Sequence, residues 1–314
     1  MAQCLFQLPA LWRHQLLPRF QGLWHPQLKQ VVILMIPFAF SSSGRQILNV
    51  VTNNILTQIS VGSVTAFFNA DLFFSLALGL FAISPALAYY SRLSDEAIHA
   101  PENFAKTLST ALYFIAFLTL PAGLMLWLLG DAATLTVFNW MSFFSERGAD
   151  PEVMRLSQLA LAPLAFAVFP LGLNHMLTRV LYIRRQVKLA SILTIIVLTS
   201  QAILYYLLAK RMGIAGLSLA TALVAWGQWL FLMLKIAQQE ALDLRALSRR
   251  FVMLALAGLL SSALTYGALY LVPDSRFAEI IRLLLGALVF ALSYGLICWR
   301  LKIPEMKALL KFFS

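Results

Sequence analysis

Long apolar runs recur along the chain at intervals of about 30 residues, and this pattern constrains the fold more than any other feature. Each run is long enough to be a transmembrane helix, which needs about 20 residues to cross roughly 30 Å of hydrocarbon. The 314 residues are 61% hydrophobic and 12% charged, a composition that is not typical of soluble domains. The runs are continuous, whereas the strands of membrane barrels alternate apolar and polar residues. The sequence therefore predicts an all-α polytopic membrane protein with eight transmembrane helices.

The predicted helices divide the chain into five segments. A lead-in precedes a six-helix lobe, and a linker, a two-helix hairpin and a tail follow it; their residues are 1–29, 30–236, 237–250, 251–300 and 301–314. The predicted helices are 29–60, 65–90, 108–129, 156–177, 189–208, 214–235, 251–271 and 280–299.

The basic residues are unevenly divided between the two sides of the predicted membrane. With loops alternating from residue 1, one side collects 17 of the 24 Lys and Arg residues, the other has six, and Arg45 lies within the membrane. We call the first the basic side; the positive-inside rule makes it cytoplasmic, with both termini. This distribution accounts for the net charge of +11. We expect no nucleic-acid partner, because no basic face with stacking aromatic residues is evident.

Polar residues follow one face of the first predicted helix and continue into the second. Arg45, Asn49, Thr52 and Asn53 occupy positions i, i+4, i+7 and i+8, so helical geometry places them on one side. A charged residue at the membrane centre costs about 2.5–3.5 kcal/mol on insertion scales, so it usually faces a partner, a cavity or a substrate path. The candidate substrate-cavity residues are Arg45, Asn49, Asn53, Asn69, Asp71 and Ser75.

These residues also have structural interpretations. Arg45 and Asp71 are candidates for an ion pair, since the arginine stem is flexible. The asparagines suit hydrogen bonds between helices. A second candidate group is a basic loop that carries either ordinary positive-inside charge or contacts to anionic lipid headgroups; its residues are Arg184, Arg185 and Lys188.

No motif predicts catalysis, a cofactor or a metal site. The sequence lacks His-Glu-x-x-His, Gly-x-Ser-x-Gly and the phosphate-binding Gly-x-x-x-x-Gly-Lys-Ser/Thr pattern, which would place a metal, nucleophile or nucleotide. Cys4 and Cys298 have no partner at metal-ligand spacing. We therefore expect no catalytic residue, no cofactor and no metal ligand.

Several short motifs follow one another in a fixed order along nearly the whole chain. They are Met35-Ile36-Pro37, Gln46-Ile47, Gly62-Ser63-Val64, Ala70-Asp71, Gly79-Leu80, Arg92-Leu93-Ser94, Tyr182 before the basic loop, and Ala215-Gly216-Leu217-Ser218-Leu219. In order and spacing they resemble the MurJ (MviN) family of lipid II flippases, within the multidrug/oligosaccharidyl-lipid/polysaccharide exporter superfamily.

The resemblance implies fourteen helices: two six-helix lobes around a cavity, then two helices that form a groove for the lipid tail. The eight predicted helices match the second lobe and the final pair, so the implied partner is a first lobe in trans or a second copy. The implied activity is the flipping of lipid II, an undecaprenyl-pyrophosphate-linked peptidoglycan precursor, across the bacterial inner membrane, with membrane lipids as further ligands. The alternatives are a non-transporting remnant or structural subunit, or a flippase for another lipid-linked oligosaccharide such as an O-antigen precursor.

The chain departs from the family pattern at several positions. The family's Ala-Asp-Arg-Leu is Ala70-Asp71-Leu72-Phe73 here, so the cavity arginine that the resemblance implies is absent. Ala77 replaces a common proline, and Leu189-Ala190 replaces Thr-Pro. Arg45 occupies a position that is usually small or polar in the family, and it is a candidate replacement for the missing cation. Only Asp71 carries a role over from the family motif.

Overall fold

The computed structural model describes residues 44–138, 150–272 and 278–306, which are helical apart from short connections and contain no β-strand among them. A five-residue π-helix, Gly79–Ile83, joins the second and third helices into one continuous segment. The helices are α1 (44–59), α2 (Ser63–Leu78), α3 (Ser84–His99), α4 (Pro101–Phe138), α5 (Pro151–Ala165), α6 (Val168–Ile183), α7 (Val187–Met212), α8 (Ile214–Glu240), α9 (Leu244–Tyr270) and α10 (Ala278–Arg300).

The described residues contain six helical segments that are long and apolar enough to cross a membrane. They are the joined α2 and α3, then α4, α7, α8, α9 and α10. The bent pair of α5 and α6 makes a seventh when it is counted as one span. The predicted first span covers residues 29–60, of which 44–60 are described and 44–59 are helical. The all-α membrane class is confirmed, whereas the number of eight spans is not.

The predicted loop between residues 92 and 106 is almost entirely helical. α3 continues to His99 and α4 begins at Pro101, so only Ala100 separates them. Charged residues do not end a helix when they pair at i,i+4, and the Nε of Arg92 donates to an oxygen of Glu96 at 2.8 Å. Proline suits the first position of a helix, because its missing N–H has no intrahelical partner there.

The other connections are also shorter than predicted. In place of the linker 237–250, only residues 241–243 separate α8 from α9. The Asp243 carboxylate caps α9 by accepting from the amides of Arg245 and Ala246 at 2.9 and 3.0 Å. α4 extends to Phe138, nine residues past its predicted end. Residues 139–149 of the predicted loop after α4 lie outside the described residues.

The predicted helix 156–177 is two helices, α5 and α6, that meet at 50°. Pro170 has no N–H, so the carbonyl of Phe166 lacks its usual donor four residues later. The indole N–H of Trp226 on α8 donates to this carbonyl instead, with an N–O distance of 3.2 Å. A Cβ on Gly123 of α4 would lie 2.8 Å from the carbonyl oxygen of Ala165. Glycine therefore allows α4 to approach the bend.

Buried apolar side chains form two clusters that meet near the middle of the helices. One cluster contains Ala82 and Val168, and draws mainly on α2, α5 and the first half of α8. The other contains Ala86 and Phe169, and draws mainly on α4, α6, α9 and α10. The boundary between the clusters therefore falls at the π-helix and at the bend between α5 and α6. Both backbone irregularities lie in the same layer of the bundle.

Three helices on the basic side end with a left-handed residue other than glycine: Arg185 at φ 57°, Ala241 at φ 50° and Lys302 at φ 51°. In each case the next amide donates to the carbonyl five residues back, as in a Schellman motif. The donor and acceptor pairs are Gln186 and Leu181 at 2.8 Å, Leu242 and Ala237 at 3.1 Å, and Ile303 and Cys298 at 3.0 Å. A left-handed L-residue costs about 1–2 kcal/mol.

We expect Ala241→Gly to raise the free energy of unfolding by about 0.5–1 kcal/mol, because glycine adopts the left-handed conformation without the Cβ clash. Ala241 is exposed, so the change removes no packing contact. The thermal midpoint of the detergent-purified chain, followed by tryptophan fluorescence, measures the effect. The matched control is Ala263→Gly in the exposed middle of α9, where glycine should cost about 1 kcal/mol. A drop in both variants would contradict the prediction.

Candidate functional site

α1 packs with its apolar side against the bundle and leaves its polar side uncovered by the described residues. Leu56 is fully buried, and Leu48 packs against the same cluster. Thr52 is also buried, and its hydroxyl donates to the carbonyl of Leu48 at 2.8 Å. Thr52 therefore does not belong to the predicted polar stripe. The predicted residues that remain exposed on α1 are Arg45, Asn49 and Asn53.

Two further polar residues extend this exposed surface. Gln46 and Thr57 are exposed, and with Asn49 and Asn53 they follow a spacing of three, four and four residues, which keeps them on one helical face. Sequence analysis missed both, although the spacing was visible. We call the exposed Arg45, Gln46, Asn49, Asn53 and Thr57 the α1 polar face.

Asp71 and Ser75 lie on α2, and Asn69 has a different environment from both. The Ser75 hydroxyl donates to a carboxylate oxygen of Asp71 at 3.5 Å, and Asp71 is half-buried while Ser75 is exposed. The Asn69 amide donates to the hydroxyl of Ser157 on α5 at 3.4 Å. The contact of Asn69 is therefore the one expected of a hydrogen bond between helices.

A hydrogen-bonded cluster of α7 and α8 lies near Asp71. The Tyr205 hydroxyl is 2.8 Å from the Thr221 hydroxyl and accepts from the Gln201 amide at 2.7 Å. The Asp71 carboxylate is close enough to interact electrostatically with the buried hydroxyl of Tyr205. Sequence analysis did not identify this cluster. Its only signal was that Gln201 and Tyr205 are four residues apart on an otherwise apolar helix.

The structure contains no ion pair between Arg45 and Asp71 among the described residues. Arg45 precedes Ile59, the last residue of α1, by 14 positions, or about 21 Å along the helix. Asp71 follows Ser63, where α2 begins, by eight positions, or about 12 Å. Both distances start from the same turn, so the two charges differ in depth by about 9 Å if the helices run parallel. The predicted ion pair is therefore wrong.

Arg45 lies instead within electrostatic range of His175 on α6. The charges of Arg45 and Arg179 both act on the imidazole of His175. The guanidinium carbon of Arg179 is 5.6 Å from the ring centre of Tyr90 on α3, which is within cation–π range. Arg45 is exposed, while His175 and Arg179 are half-buried. We call the two arginines Arg45 and Arg179, together with the uncharged imidazole of His175, the inner cation cluster.

The three residues of the basic loop have different environments. The Arg184 guanidinium donates to both oxygens of Glu240 on α8, at 2.6 and 2.5 Å, and lies 4.0 Å from the ring centre of Phe104. These contacts give Arg184 a structural role. Arg185 and Lys188 are exposed, and no carboxylate of the described residues pairs with them. They stay predicted lipid-headgroup contacts.

A family model and several relatives match this chain. The model of the lipid II flippase MurJ matches residues 1–286. The chain belongs to the MurJ family. The resemblance read from the sequence motifs is thereby confirmed. The family is one of transporters, the lipid II flippases.

Curated MurJ proteins are similar over the larger part of this chain. The probable lipid II flippase MurJ of Vibrio cholerae is 29% identical over 233 residues, which are 72% of this chain and 42% of that protein. The lipid II flippase MurJ of Burkholderia cenocepacia is 25% identical over 224 residues, 69% of this chain and 42% of that protein. The chain thus spans less than half the length of these relatives.

Solved structures match the same fold. A lipid II flippase MurJ in an inward closed conformation has a TM-score of 0.70 at 23% identity, over 90% of this chain and 58% of that one. An outward-facing MATE family transporter of the MOP superfamily has a TM-score of 0.56 at 16% identity, over 86% of this chain and 64% of that one. At these identities the two structures show a shared fold.

The departure of this MurJ-family chain from the Ala-Asp-Arg-Leu motif lies on the uncovered side of α2. Leu72, where the resemblance implies an arginine, is 49% exposed. The polar groups beside it are the Asp71 carboxylate and the Ser75 hydroxyl. The intramembrane cations near the uncovered face are therefore on α1 and α6, rather than on α2.

We expect Glu240→Ala to lower the free energy of unfolding by about 2 kcal/mol, because Arg184 would lose both charge-assisted hydrogen bonds. The Glu240 side chain is only 9% exposed, so water cannot fully replace it. The matched control is Glu152→Ala, which removes a pair with Arg155 whose side chains are 51% and 59% exposed. That exposed pair should contribute much less to stability than the buried one, because water and salt screen it. Thermal unfolding of the purified chain compares them, and equal losses would contradict the prediction.

Proposed function

We propose that this MurJ-family chain takes part in flipping lipid II, an undecaprenyl-pyrophosphate-linked peptidoglycan precursor, across the bacterial inner membrane. The observation that carries the proposal is the α1 polar face, which the described residues leave uncovered. Polar side chains facing hydrocarbon are costly, so such a face implies water or a protein partner. A flippase needs a wet path of this kind.

In this proposal the α1 polar face and the Asp71 region line the path of the headgroup. Asn49 and Asn53 offer both donors and acceptors to sugar hydroxyls, whereas the Asp71 carboxylate accepts from them. The polyprenyl tail stays in the bilayer, because nothing in its chemistry requires the polar path. Two lobes that rock against each other would expose the path to each side in turn. Both termini lie in the cytoplasm, and the transport step uses no cofactor.

The partner in this proposal is a first lobe in trans or a second copy of the chain, which covers the α1 polar face. The exposed residues of that face are amides, a hydroxyl and one cation, groups that a polar cavity wall hydrates and that lipid does not. On the cytoplasmic surface, Arg185 and Lys188 contact the anionic headgroups of membrane lipids, each contact worth about 1 kcal/mol.

Complementation tests the proposal. The chain is expressed in a strain depleted of its lipid II flippase, alone and together with the first lobe of the Vibrio cholerae relative. We expect growth to be rescued only when the first lobe is present, because one lobe cannot close both ends of the path. Rescue by the chain alone would support the second copy as the partner. No rescue with either arrangement would favour a non-transporting remnant or structural subunit. Rescue of O-antigen export instead of peptidoglycan synthesis would favour the other substrate.

In the rescuing arrangement, Asp71→Ala and Asn53→Ala should each reduce flipping of lipid II by about tenfold or more, the loss of roughly 1.4 kcal/mol of differential interaction with the headgroup. The matched control for Asp71 is Asp95→Ala, an exposed carboxylate near the end of α3 that pairs with His99. Membrane insertion of every variant is checked by immunoblot. Unchanged flipping in both cavity variants would remove these residues from the path.

A further inference from the structure

A cavity of about 250 Å³ lies at the basic end of the final helix pair, outside the candidate functional site. It is bordered by α4, by α9 and by the residues that follow α10. Its polar lining residues are Tyr113, Arg250, Lys302 and Glu305. The rest of the lining is apolar and includes Met253 and Leu301. The cavity therefore combines charged and apolar side chains.

The charged part of the lining lies near the membrane surface. α10 ends at Arg300, so Lys302 and Glu305 come directly after an apolar helix. Arg250 lies in the second turn of α9 and directly precedes the predicted span 251–271. Trp299 is exposed at the end of α10, where aromatic residues are typical of the membrane interface. The cavity is thus at the level of the lipid headgroups on the basic side.

Glu305 carries an acceptor that no described residue uses. Its side chain is only 6% exposed, and its Oε1 accepts from a guanidinium nitrogen of Arg250 at 3.1 Å. No donor of the described residues bonds the second carboxylate oxygen, Oε2. A carboxylate has about four acceptor sites, and a largely buried one is costly unless several of them are bonded. A ligand that brings an N–H donor into the cavity would supply this bond.

The two cations of the cavity have different environments. The guanidinium carbon of Arg250 lies 4.1 Å from the ring centre of Tyr113, so this contact and the ion pair with Glu305 both hold Arg250. Lys302 is exposed, and no carboxylate of the described residues pairs with it. Its backbone is fixed by the left-handed turn at the end of α10. The cavity therefore offers one unused acceptor and one unused cation.

We propose that this cavity binds the zwitterionic headgroup of phosphatidylethanolamine from the leaflet on the basic side. The ammonium group, which has three N–H donors as lysine does, donates to Oε2 of Glu305. The phosphate accepts from the Lys302 ammonium and from the guanidinium N–H groups of Arg250 that Glu305 leaves free. Apolar residues such as Leu301 contact the first carbons of the acyl chains. This site is separate from the proposed headgroup path and does not depend on the flipping of lipid II.

Charge complementarity favours this lipid over the two common alternatives. The choline group of phosphatidylcholine has no N–H and cannot donate to the Glu305 carboxylate. Phosphatidylglycerol brings a phosphate for Lys302 but no positive charge for Glu305, so a buried carboxylate would lie beside a second anion. Only the ethanolamine headgroup supplies both the cationic donor and the phosphate.

The test measures which lipids the full chain retains after purification in detergent, by native mass spectrometry. The micelles contain phosphatidylethanolamine and phosphatidylcholine in equal amounts and with the same acyl chains. We expect the wild type to retain phosphatidylethanolamine about tenfold over phosphatidylcholine, the effect of one charge-assisted hydrogen bond. Glu305→Gln should reduce this preference to about twofold or less, because the amide keeps the shape and loses the charge. The matched control is Glu96→Gln, at a largely buried carboxylate that pairs with Arg92 at 2.8 Å away from the cavity, and it should leave the preference unchanged.

Two further measurements do not depend on the stability of the Glu305 variant. N-methyl- and N,N-dimethyl-phosphatidylethanolamine should be retained by the wild type in decreasing amounts, since each methyl group removes one N–H donor. Lys302→Gln, at an exposed residue, should weaken the retention of phosphatidylethanolamine and phosphatidylcholine alike by about fivefold, because both lipids carry the phosphate. Lys106→Gln, at an exposed lysine of α4, is its matched control and should change retention less than about twofold.

Three results would overturn the inference. Equal retention of phosphatidylethanolamine and its methylated forms by the wild type would show that no N–H donor is recognised. A preference that Glu305→Gln leaves at its wild-type value would remove Glu305 from the site. Stronger retention of phosphatidylglycerol in an equal mixture would make the cavity an ordinary contact for anionic lipid. Each of these results leaves the flippase proposal intact, because complementation tests that proposal independently.

Discussion

Backbone groups in a bilayer core have no water to bind, so each must find its partner within the protein. The helices of this chain satisfy that requirement along their length, and at the two irregular points side chains also donate to backbone carbonyls. At the π-helix the Ser84 hydroxyl donates to the carbonyl of Gly79 at 2.9 Å. At the bend between α5 and α6 the Trp226 indole donates to the carbonyl of Phe166 at 3.2 Å. Both points lie where the two apolar clusters meet, and neither irregularity leaves these two carbonyls unpaired.

The same requirement divides the intramembrane polar side chains into two groups. Asn69 bonds Ser157 on the neighbouring α5, and Gln201, Tyr205 and Thr221 bond one another. The α1 polar face and the inner cation cluster contrast with these groups, because the described residues do not pair their charges or cover their exposed members. This contrast, rather than the presence of polar residues alone, connects the fold to the proposed transport.

The spacing and charge of residues in the sequence were enough to predict some features of the site but not others. Helical spacing correctly placed Asn49 and Asn53 together, but Thr52 is at the edge of that stripe and is buried, which its hydroxyl tolerates because it donates to the backbone carbonyl of Leu48. The ion pair of Arg45 and Asp71 was wrong because depth along each helix, not only the facing direction, decides which charges meet. His175 and Arg179 were not grouped with Arg45, because residues 45 and 175 are far apart in sequence and only the folded bundle brings Arg45 within electrostatic range of His175.

The amino-acid sequence by itself determined that the chain forms apolar helices across a membrane, which family it resembles, and which helix carries a polar stripe. These properties depend on composition, on the order of short motifs and on short-range spacing. The bilayer requires apolar helices, and helix geometry fixes which nearby residues share a face. Tertiary structure alone decided how α5 and α6 pack as a bent pair, and which cations of the described residues have no carboxylate partner. Those outcomes depend on contacts between residues far apart in sequence, and such contacts exist only after the helices have packed.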